Sequence, residues 1–320
     1  MKIGALVHMY PPMHNAGAEH MLHAMLREMV NRGHEAVVVV DDECGTTYAP
    51  YIHDGVRVSS DKRSLKGIDV LITHLDRTPT AEKMAETRGI PLVQLFHNHD
   101  RPTTVTKCDL AVYNSEHLLK HAPMSFDTPT VVVRPPVWPE HYRIEEKDHT
   151  RKYITLINLQ KAKGVEMFYT LAQMFPDLPF LGVKGSYGVQ VPPPAHLKNV
   201  TIIDNQPDIR KVYAQTAILL MPSSYESYGR CAVEASCSGI PVIAHPTAGL
   251  REALQALDSN GLFPLPDSKS WGAAIEYVRE TYPARVRDAF WVAKNLDPDG
   301  DMDRFEEALL SVASDVPSVV

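Results

Sequence analysis

The feature that most constrains the fold is a series of short apolar segments that alternate with helical segments. A strand with one solvated face alternates apolar and polar residues, whereas a strand covered by helices on both faces is apolar throughout. Segments of the second kind occupy the first part of the chain: Ile3–Val7, Ala36–Val40, Val70–Thr73, Pro91–Phe96, Leu110–Tyr113 and Thr130–Val133. They predict the strands of a buried parallel sheet.

The segment between the first two predicted strands has the periodicity of a helix. Its apolar residues recur at i, i+3, i+4 and i+7, and Gly33 follows them as a stop signal. These residues are Ala18, Met21, Leu22, Met25, Leu26, Met29 and Val30. We interpret the methionines among them as core packing.

A second series of strands and helices follows a break at Arg134–Pro139, where the prolines can continue neither a strand nor a helix. The predicted strands are Tyr153–Ile157, Phe180–Val183, Val200–Ile203, Ile218–Met221 and Pro241–Ala244. The predicted helices are Val165–Phe175, Ile209–Thr216, Gly229–Ser238, Leu250–Leu257 and Ser270–Tyr282, and the last 35 or so residues are predicted to be helical throughout.

This organisation predicts an α/β protein with two Rossmann-like domains, because each series alternates strands with helices. We place the first domain at 1–140 and the second at 153–295. The charged segment 141–152 is the predicted linker, and 296–320 is a predicted C-terminal helical segment that packs back toward the first domain.

Length and composition support an ordinary two-domain enzyme. The chain has 320 residues and a net charge of -7, which argues against electrostatic binding of nucleic acid over the whole surface but leaves a local basic groove open. The four cysteines form no CxxC pair, so we expect no zinc-cysteine site. Four scattered cysteines do not form a disulfide scaffold, so we expect a reducing compartment.

The sequence contains no segment that we predict to cross a membrane. No apolar run approaches the roughly 20 residues that a span needs, and Ile3–Val7 is too short for a signal peptide. We expect a cytoplasmic protein and leave peripheral membrane contact open.

The strongest candidate site follows the predicted strand Ile218–Met221. Glu226 lies in the loop, Gly229 at the start of the next helix and Glu234 on that helix. The unpaired amides at a helix N-terminus bind phosphate, and an acid further along can accept hydrogen bonds from ribose hydroxyls. From the residues alone, a solvated loop acid and an unrelated helix acid remain the alternative.

Two candidates lie in the first domain. Gly17 opens the first helix, where the missing side chain lets the backbone approach a ligand, although a plain strand-to-helix turn is the alternative. His97, His99 and Asp100 follow the strand Pro91–Phe96. That spacing is a weak signal for a metal, and a structural histidine is the alternative, so we predict no metal site.

Several motifs together resemble those of the family 4 retaining glycosyltransferases. The match comprises Pro222-Ser223-x-x-Glu226-Ser-Tyr-Gly229, Glu234-Ala, Ser238-Gly239-Ile-Pro241-Val-Ile-Ala and Gly249-Leu-x-Glu252-Ala, in order and spacing over about 30 residues. This resemblance implies the GT-B fold, in which two Rossmann-like domains face each other across a cleft. It also implies chemistry that needs no metal.

The resemblance assigns roles to individual residues. Glu226 is expected to contact the donor sugar and Glu234 the ribose, within a donor loop that includes Ser227, Tyr228 and Gly229. His97 is expected to line the cleft near the sugar, as a catalytic residue together with Glu226. Gly17 matches a glycine-rich motif, here Ala16-Gly17-Ala18-Glu19, in which one family glycine is replaced by alanine.

A further motif departs from the family pattern after the strand Tyr153–Ile157. The family has an arginine and then Lys-Gly, and both cations offset the charge of the diphosphate. Here Lys163-Gly164 is retained, but Asn158 occupies the position of the arginine and carries no charge. The missing charge could come from Lys184, Arg210 or Arg230.

These observations predict a retaining glycosyltransferase that moves a sugar from a nucleotide-diphosphate sugar to an acceptor hydroxyl, with no other cofactor and no metal. Two alternatives stay open: a nucleotide-sugar epimerase of the same fold, and a non-catalytic subunit that binds nucleotide sugars. The second stays open because Asn158 carries no charge where the family has an arginine. The acceptor is not predictable, and a saccharide, a metabolite, a lipid, a protein and a modified nucleic-acid base are all open.

Overall fold

The computed structural model describes residues 1–41, 49–98, 107–121, 128–255 and 267–314, and the chain divides into two compact units. The first unit comprises Met1–Pro136 and Asp297–Val320, and the second comprises Val137–Leu296. The segment 141–152, predicted as a linker, lies in the second unit, because the Ser238 hydroxyl donates to the carbonyl of Tyr142 (2.6 Å) and accepts from the amide of Ile144 (3.1 Å).

The first unit contains a sheet of mostly parallel strands. In chain order its strands are β1 (Lys2–Val7), β2 (Glu35–Val40), β3 (Tyr51–His53), β4 (Val56–Ser59), β5 (Val70–His74), β6 (Leu92–Phe96), β7 (Leu110–Tyr113) and β8 (Thr130–Val132). Their order across the sheet is β3-β4-β2-β1-β5-β6-β7-β8, and β3 and β4 pair antiparallel.

The second unit contains a sheet whose neighbouring strands are all parallel. Its strands are β9 (Tyr153–Ile157), β10 (Phe180–Val183), β11 (Val200–Ile203), β12 (Thr216–Met221) and β13 (Val242–Ala244). They lie in the order β11-β10-β9-β12-β13. The structure therefore confirms the predicted α/β class and the predicted strands of both series.

Helices connect the strands. They are α1 (Gly17–Asn31), α2 (Thr78–Arg88), α3 (Glu116–Lys120), α4 (Pro139–Tyr142), α5 (Val165–Met174), α6 (Arg210–Tyr213), α7 (Arg230–Cys237), α8 (Ala248–Ala253), α9 (Ser268–Glu280), α10 (Tyr282–Lys294) and α11 (Pro298–Ser314). Within the described residues no helix is both long enough and apolar enough to cross a bilayer.

Three predicted helical segments differ from those observed. The helix expected at Leu250–Leu257 is observed as α8, which ends at Ala253, and residues 256 and 257 lie outside the described part of the chain. The helix expected at Ile209–Thr216 is the shorter α6, because Thr216 pairs with Tyr153 as the first residue of β12. The C-terminal region is not helical throughout, since α10 ends at Lys294 and α11 begins at Pro298. Pro298 explains this break, because a proline inside a helix lacks the amide hydrogen that bonds to the preceding turn. The first turn of a helix needs no such bond, and Pro298 is the first residue of α11.

The last helix, α11, packs within the first unit. The Arg32 guanidinium at the end of α1 lies 2.7 Å from an oxygen of Asp303 and 2.8 Å from one of Glu306. Phe305 and Leu309, on the same helix, are fully buried. These contacts confirm the prediction that the C-terminal helical segment packs against the first domain.

We predict that α11 stabilises the first unit through its buried face. Phe305→Ala is expected to lower the free energy of unfolding by about 3–5 kcal/mol, because it removes a large buried ring and leaves a cavity. Leu310→Ala, on the half-exposed face of the same helix, should change it by less than about 0.5 kcal/mol. Urea unfolding followed by circular dichroism measures both, and equal effects would contradict the packing described here.

Candidate functional site

In the second unit, the order of the strands fixes where a ligand can bind. From β9 the chain adds β10 and then β11 on one side, and it returns to add β12 on the other side of β9. Loops that leave the carboxyl ends of β9 and β12 therefore run in opposite directions and open a crevice between them. Open α/β sheets bind their ligands at such a point.

An ion pair joins the two loops at this point. The Lys163 ammonium, in the loop after β9, lies 2.6 Å from Oε1 of Glu226, in the loop after β12. The hydroxyl of Ser223 donates to the same oxygen at 2.7 Å. Oε2 of Glu226 accepts no hydrogen bond within the described structure and is the oxygen that remains for a ligand.

Backbone packing holds the two loops in this position. Gly164 has a φ of +80°, and a Cβ there would overlap the carbonyl oxygen of Pro222. The amide of Ser224 donates to the carbonyl of Ala162 at 3.0 Å. The residue after Lys163 must therefore be a glycine, both for its left-handed conformation and for this close approach.

The environment of Lys163 keeps its amine charged. Burial alone would lower the pKa of Lys163, but the neighbouring Glu226 carboxylate outweighs burial and raises that pKa above its usual value. A quarter of the side chain is still exposed. A cation that is partly accessible at the end of a sheet strand is suited to binding an anion.

The N-terminus of α7 lies next to this ion pair in sequence. Gly229 precedes α7 with a φ of +107°, and no side chain caps the helix. A Cβ at Gly249 would overlap the backbone of Glu226 and Ser227, so the loop passes directly over this glycine. The structure thus explains two glycines of the motif and leaves the first amides of α7 for a ligand.

Glu234 is buried on α7, and partners engage both of its carboxylate oxygens. The Tyr213 hydroxyl donates to Oε2 at 2.8 Å, and Nε of Arg230 lies 2.8 Å from Oε1. Burial, together with the Glu234 charge, raises the pKa of Tyr213 well above its usual range, so the phenol remains a donor. A carboxylate oxygen can accept two hydrogen bonds, so Glu234 retains capacity for one further donor at each oxygen.

The structure places Asn158 as a support of the loop after β9. Its φ of +72° is left-handed, a conformation that asparagine adopts more readily than most residues. Its Oδ1 accepts from Nε2 of Gln190 at 3.2 Å, and Oε1 of Gln190 accepts from the amides of Leu159 and Gly185. The donor-binding role that we assigned to Asn158 stays a prediction.

The three cations that could replace the missing arginine charge all have acidic partners. Lys184 lies 2.8 Å from Asp204, and Arg210 lies 2.8 Å from Asp208. Arg230 pairs with Glu234 and also donates to the Tyr142 hydroxyl at 2.6 Å. Lys163 also pairs with an acid, and that acid is Glu226, in the loop after β12.

Two other predicted donor residues contribute in different ways. The Tyr228 side chain is buried in an apolar cluster with Val137, Val233 and Cys237, so its ring is part of the core. Ser227 lies with its backbone against Gly249. If Tyr228 binds the donor, it would do so through its backbone groups. The hydroxyl of Ser227 stays a candidate donor ligand.

In the first unit the strand order reverses between β1 and β5, and histidines lie at that point. His8 follows β1, and His74 ends β5. Nε2 of His8 lies 3.5 Å from Oε1 of Glu19, on the first turn of α1, and Nδ1 of His14 lies 3.5 Å from the same oxygen. Sequence reasoning missed this cluster, because only the sheet brings its members together.

The predicted catalytic residue His97 belongs to the same region. It follows β6, and its Nε2 shares a hydrogen bond of 2.9 Å with Nδ1 of His74. Burial lowers the pKa of His97 to about 4 and that of His74 to about 3, so both imidazoles are neutral. His99 and Asp100, of the weak metal motif, lie outside the described residues.

Gly17 lies at the exposed first position of α1, and a Cβ there would contact nothing within 4 Å. No close approach in the structure therefore requires glycine at this position. Its predicted role in donor binding stays a prediction.

One family model matches the part of the chain around α7. Residues 195–287 match the family model of glycosyl transferases group 1, which covers less than a third of the chain. The matched region includes Glu226, Gly229 and Glu234, but not Lys163. It supports the resemblance that the motifs indicate, at the level of group 1 glycosyl transferases.

Curated relatives match part of the chain. A D-inositol 3-phosphate glycosyltransferase from Mycobacterium sp. (strain KMS) is 28% identical over 143 residues, which cover 41% of this chain and 33% of that protein. An uncharacterized glycosyltransferase from Methanocaldococcus jannaschii is 34% identical over 71 residues, 21% of this chain and 18% of that protein. The chain spans a third or less of the length of these relatives.

Solved structures match the chain over nearly its whole length. Anabaena HepE in complex with UDP and glucose has a TM-score of 0.76 at 16% identity and covers 97% of this chain and 100% of its own. The sucrose-phosphate synthase of Thermosynechococcus elongatus has a TM-score of 0.73 at 14% identity, with 98% and 97% covered. These similarities confirm the predicted GT-B fold.

We predict that Gly164 controls the contact between Lys163 and Glu226. Gly164→Ala should lower the free energy of unfolding by about 3 kcal/mol, because the new methyl group would overlap Pro222 at a left-handed residue. Gly89→Ala is the matched control: Gly89 is also left-handed, but nothing lies within 4 Å, so about 1–2 kcal/mol is expected. Urea unfolding compares the two, and a smaller loss in Gly164→Ala would contradict the packing described here.

Proposed function

We propose that the chain is a retaining glycosyltransferase that transfers a sugar from a nucleotide-diphosphate sugar to an acceptor hydroxyl. The observation that carries this proposal is the contact between Lys163 and Glu226 at the carboxyl ends of β9 and β12. It joins a cation suited to phosphate and an acid suited to a sugar hydroxyl at the point where α/β sheets bind nucleotides.

Lys163 and the N-terminus of α7 would bind the diphosphate. A lysine ammonium has three N–H donors, and Glu226 takes one of them, which leaves two for phosphate oxygens. The uncapped amides of α7 add donors that point along the helix axis, and the helix dipole favours an anion there. Both groups are in place before the reaction. They stabilise the negative charge that develops on the diphosphate as its bond to the sugar breaks.

The two acids would hold the two sugars of the donor. Oε2 of Glu226 is available to accept from a hydroxyl of the transferred sugar, since Oε1 is occupied by Lys163 and Ser223. Glu234 would accept from the ribose while it remains bonded to Tyr213 and Arg230. This division of roles follows the order of the motif along the loop and helix.

The comparisons support this proposal through the family match around α7 and the shared fold. The region that matches the group 1 model contains both acids and the glycine before α7. Anabaena HepE, which shares the fold, has been solved with UDP-glucose and with UDP. We propose by analogy that the donor here is a nucleoside-diphosphate sugar, and UDP is the first probe to use.

We propose retention at the anomeric carbon by a front-face route, in which the acceptor hydroxyl attacks from the side on which the diphosphate leaves. The departing phosphate oxygens accept the proton of the attacking hydroxyl. His97, in the first unit, is proposed to act on the acceptor side.

Asn158 favours one alternative, a subunit that binds nucleotide sugars without turning them over. The residue carries no charge where the family has an arginine, and its side chain bonds with Gln190. Transfer or hydrolysis of the donor by the purified chain would exclude that alternative. An epimerase would instead convert the donor sugar in the absence of any acceptor.

We predict that Lys163 contributes to nucleotide-diphosphate affinity and that its neighbour Lys161 does not. Lys163→Met should weaken UDP binding at least tenfold, because it removes the cation beside the crevice. Lys161→Met is the matched control: Lys161 lies two residues before Lys163 in the loop after β9, is largely exposed and pairs with Glu166. Isothermal titration with UDP, and with ADP and GDP as further probes, measures both, and equal affinities in the two variants would contradict the site.

We predict that Glu226→Gln lowers turnover by a factor of about 100 or more while UDP affinity changes by less than about tenfold. The acid contacts the sugar in the proposal, so its loss affects the step at the sugar more than the binding of the nucleotide. Turnover of UDP-sugar with a panel of acceptors, with product stereochemistry by NMR, gives the readout. Unchanged turnover in the variant would contradict the role of Glu226, and an inverted product would contradict retention.

A further inference from the structure

The first unit contains a cluster of ligand atoms that the proposed donor chemistry does not use. His8, Glu19 and His74 each offer one atom, and these atoms lie within 4.8 Å of one another. Around a tetrahedral zinc ion the ligand atoms are about 3.3–3.5 Å apart, given zinc–ligand distances of about 2.0–2.2 Å. The limit of 4.8 Å exceeds that spacing by about 1.4 Å, a distance that side-chain adjustments would close on metal binding.

One residue of this cluster, His74, has a buried ring nitrogen without a partner. His74 is fully buried, and its Nε2 has no hydrogen bond within the described structure. A buried polar atom that is left without a hydrogen-bond partner destabilises the folded state. A bound ligand at this nitrogen would remove that destabilisation, and the nearby Glu19 carboxylate favours a cation over an anion.

The other nitrogen of His74 is bonded as in known metal sites. Its Nδ1 shares a hydrogen bond of 2.9 Å with Nε2 of His97. Histidines that bind a metal through one nitrogen commonly donate the other N–H to a second residue, which fixes the orientation of the ring. The pair with His97 would therefore orient His74 with Nε2 toward the cluster.

We propose that His8, Glu19 and His74 bind one divalent transition-metal ion, with zinc as the best match. Two histidines and one glutamate are the ligand set of several catalytic zinc sites, which keep a fourth position for water or a ligand oxygen. The site lies at the carboxyl ends of β1 and β5, where the strand order of the first unit reverses. All three ligands belong to the first unit.

In a second cluster of the first unit, both ring nitrogens of the buried histidine have hydrogen-bond partners. His23 lies near His53 and Asp54, which together could also hold a metal by distance. However, Nδ1 of His23 is bonded to the Tyr10 hydroxyl at 2.9 Å, and its Nε2 to Asp54 at 3.2 Å. Both nitrogens have partners, so this cluster serves as the control.

The test titrates the full chain, without a histidine tag and after treatment with EDTA, with ZnCl2 and separately with CoCl2. We expect one equivalent of metal to bind, and cobalt to give the visible absorption of a tetrahedral site. Glu19→Gln, which preserves the shape of the side chain, and His8→Ala, at the more exposed ligand, should each weaken binding at least tenfold. His53→Gln should leave binding unchanged.

Three outcomes would overturn the proposal. They are no binding at metal concentrations up to about 100 μM (a free energy of about -5.5 kcal/mol), binding that is unaffected in both Glu19→Gln and His8→Ala, and binding that is lost in His53→Gln. Far-UV circular dichroism and urea unfolding of the same variants check the folding of the first unit, which carries the substituted residues. A variant that unfolds like the unsubstituted chain and loses the metal supports the proposal, whether or not the chain turns over a donor.

Discussion

The arrangement of β9 beside β12 is the constraint on which the proposed site depends. Because these parallel strands are neighbours in the sheet but distant in sequence, their carboxyl ends bring together loops that are 63 residues apart at Lys163 and Glu226. The glycine after the lysine lets one loop contact the other directly. An ion pair between these loops fixes a cation and an acid where the crevice opens.

The two units use the same topological position for different chemistry. In the second unit it holds a lysine, an acid and a helix N-terminus, which together suit a diphosphate and a sugar. In the first unit it holds His8, His74 and Glu19, two imidazoles and one carboxylate. In our two proposals, the same topological position therefore binds an anion in one unit and a cation in the other.

Much of the fold was predictable, because a strand buried on both faces is apolar along its whole length. The hairpin of β3 and β4 was missed because neither strand has an apolar run: β3 has no buried residue, and Arg57 interrupts the four-residue β4. The acids and the glycine around α7 were predictable because they form a continuous motif. The contact between Lys163 and Glu226 and the approach of His8 to His74 were not, because they depend on strand order, which no local pattern encodes.

The central claim is that the second unit binds a nucleotide diphosphate at the carboxyl ends of β9 and β12. A crystal structure of the chain with UDP tests it most directly. The account predicts density for the diphosphate beside the Lys163 ammonium and the first amides of α7, with the ribose next to Glu234. Density for the nucleotide at any other place on the chain would contradict the account.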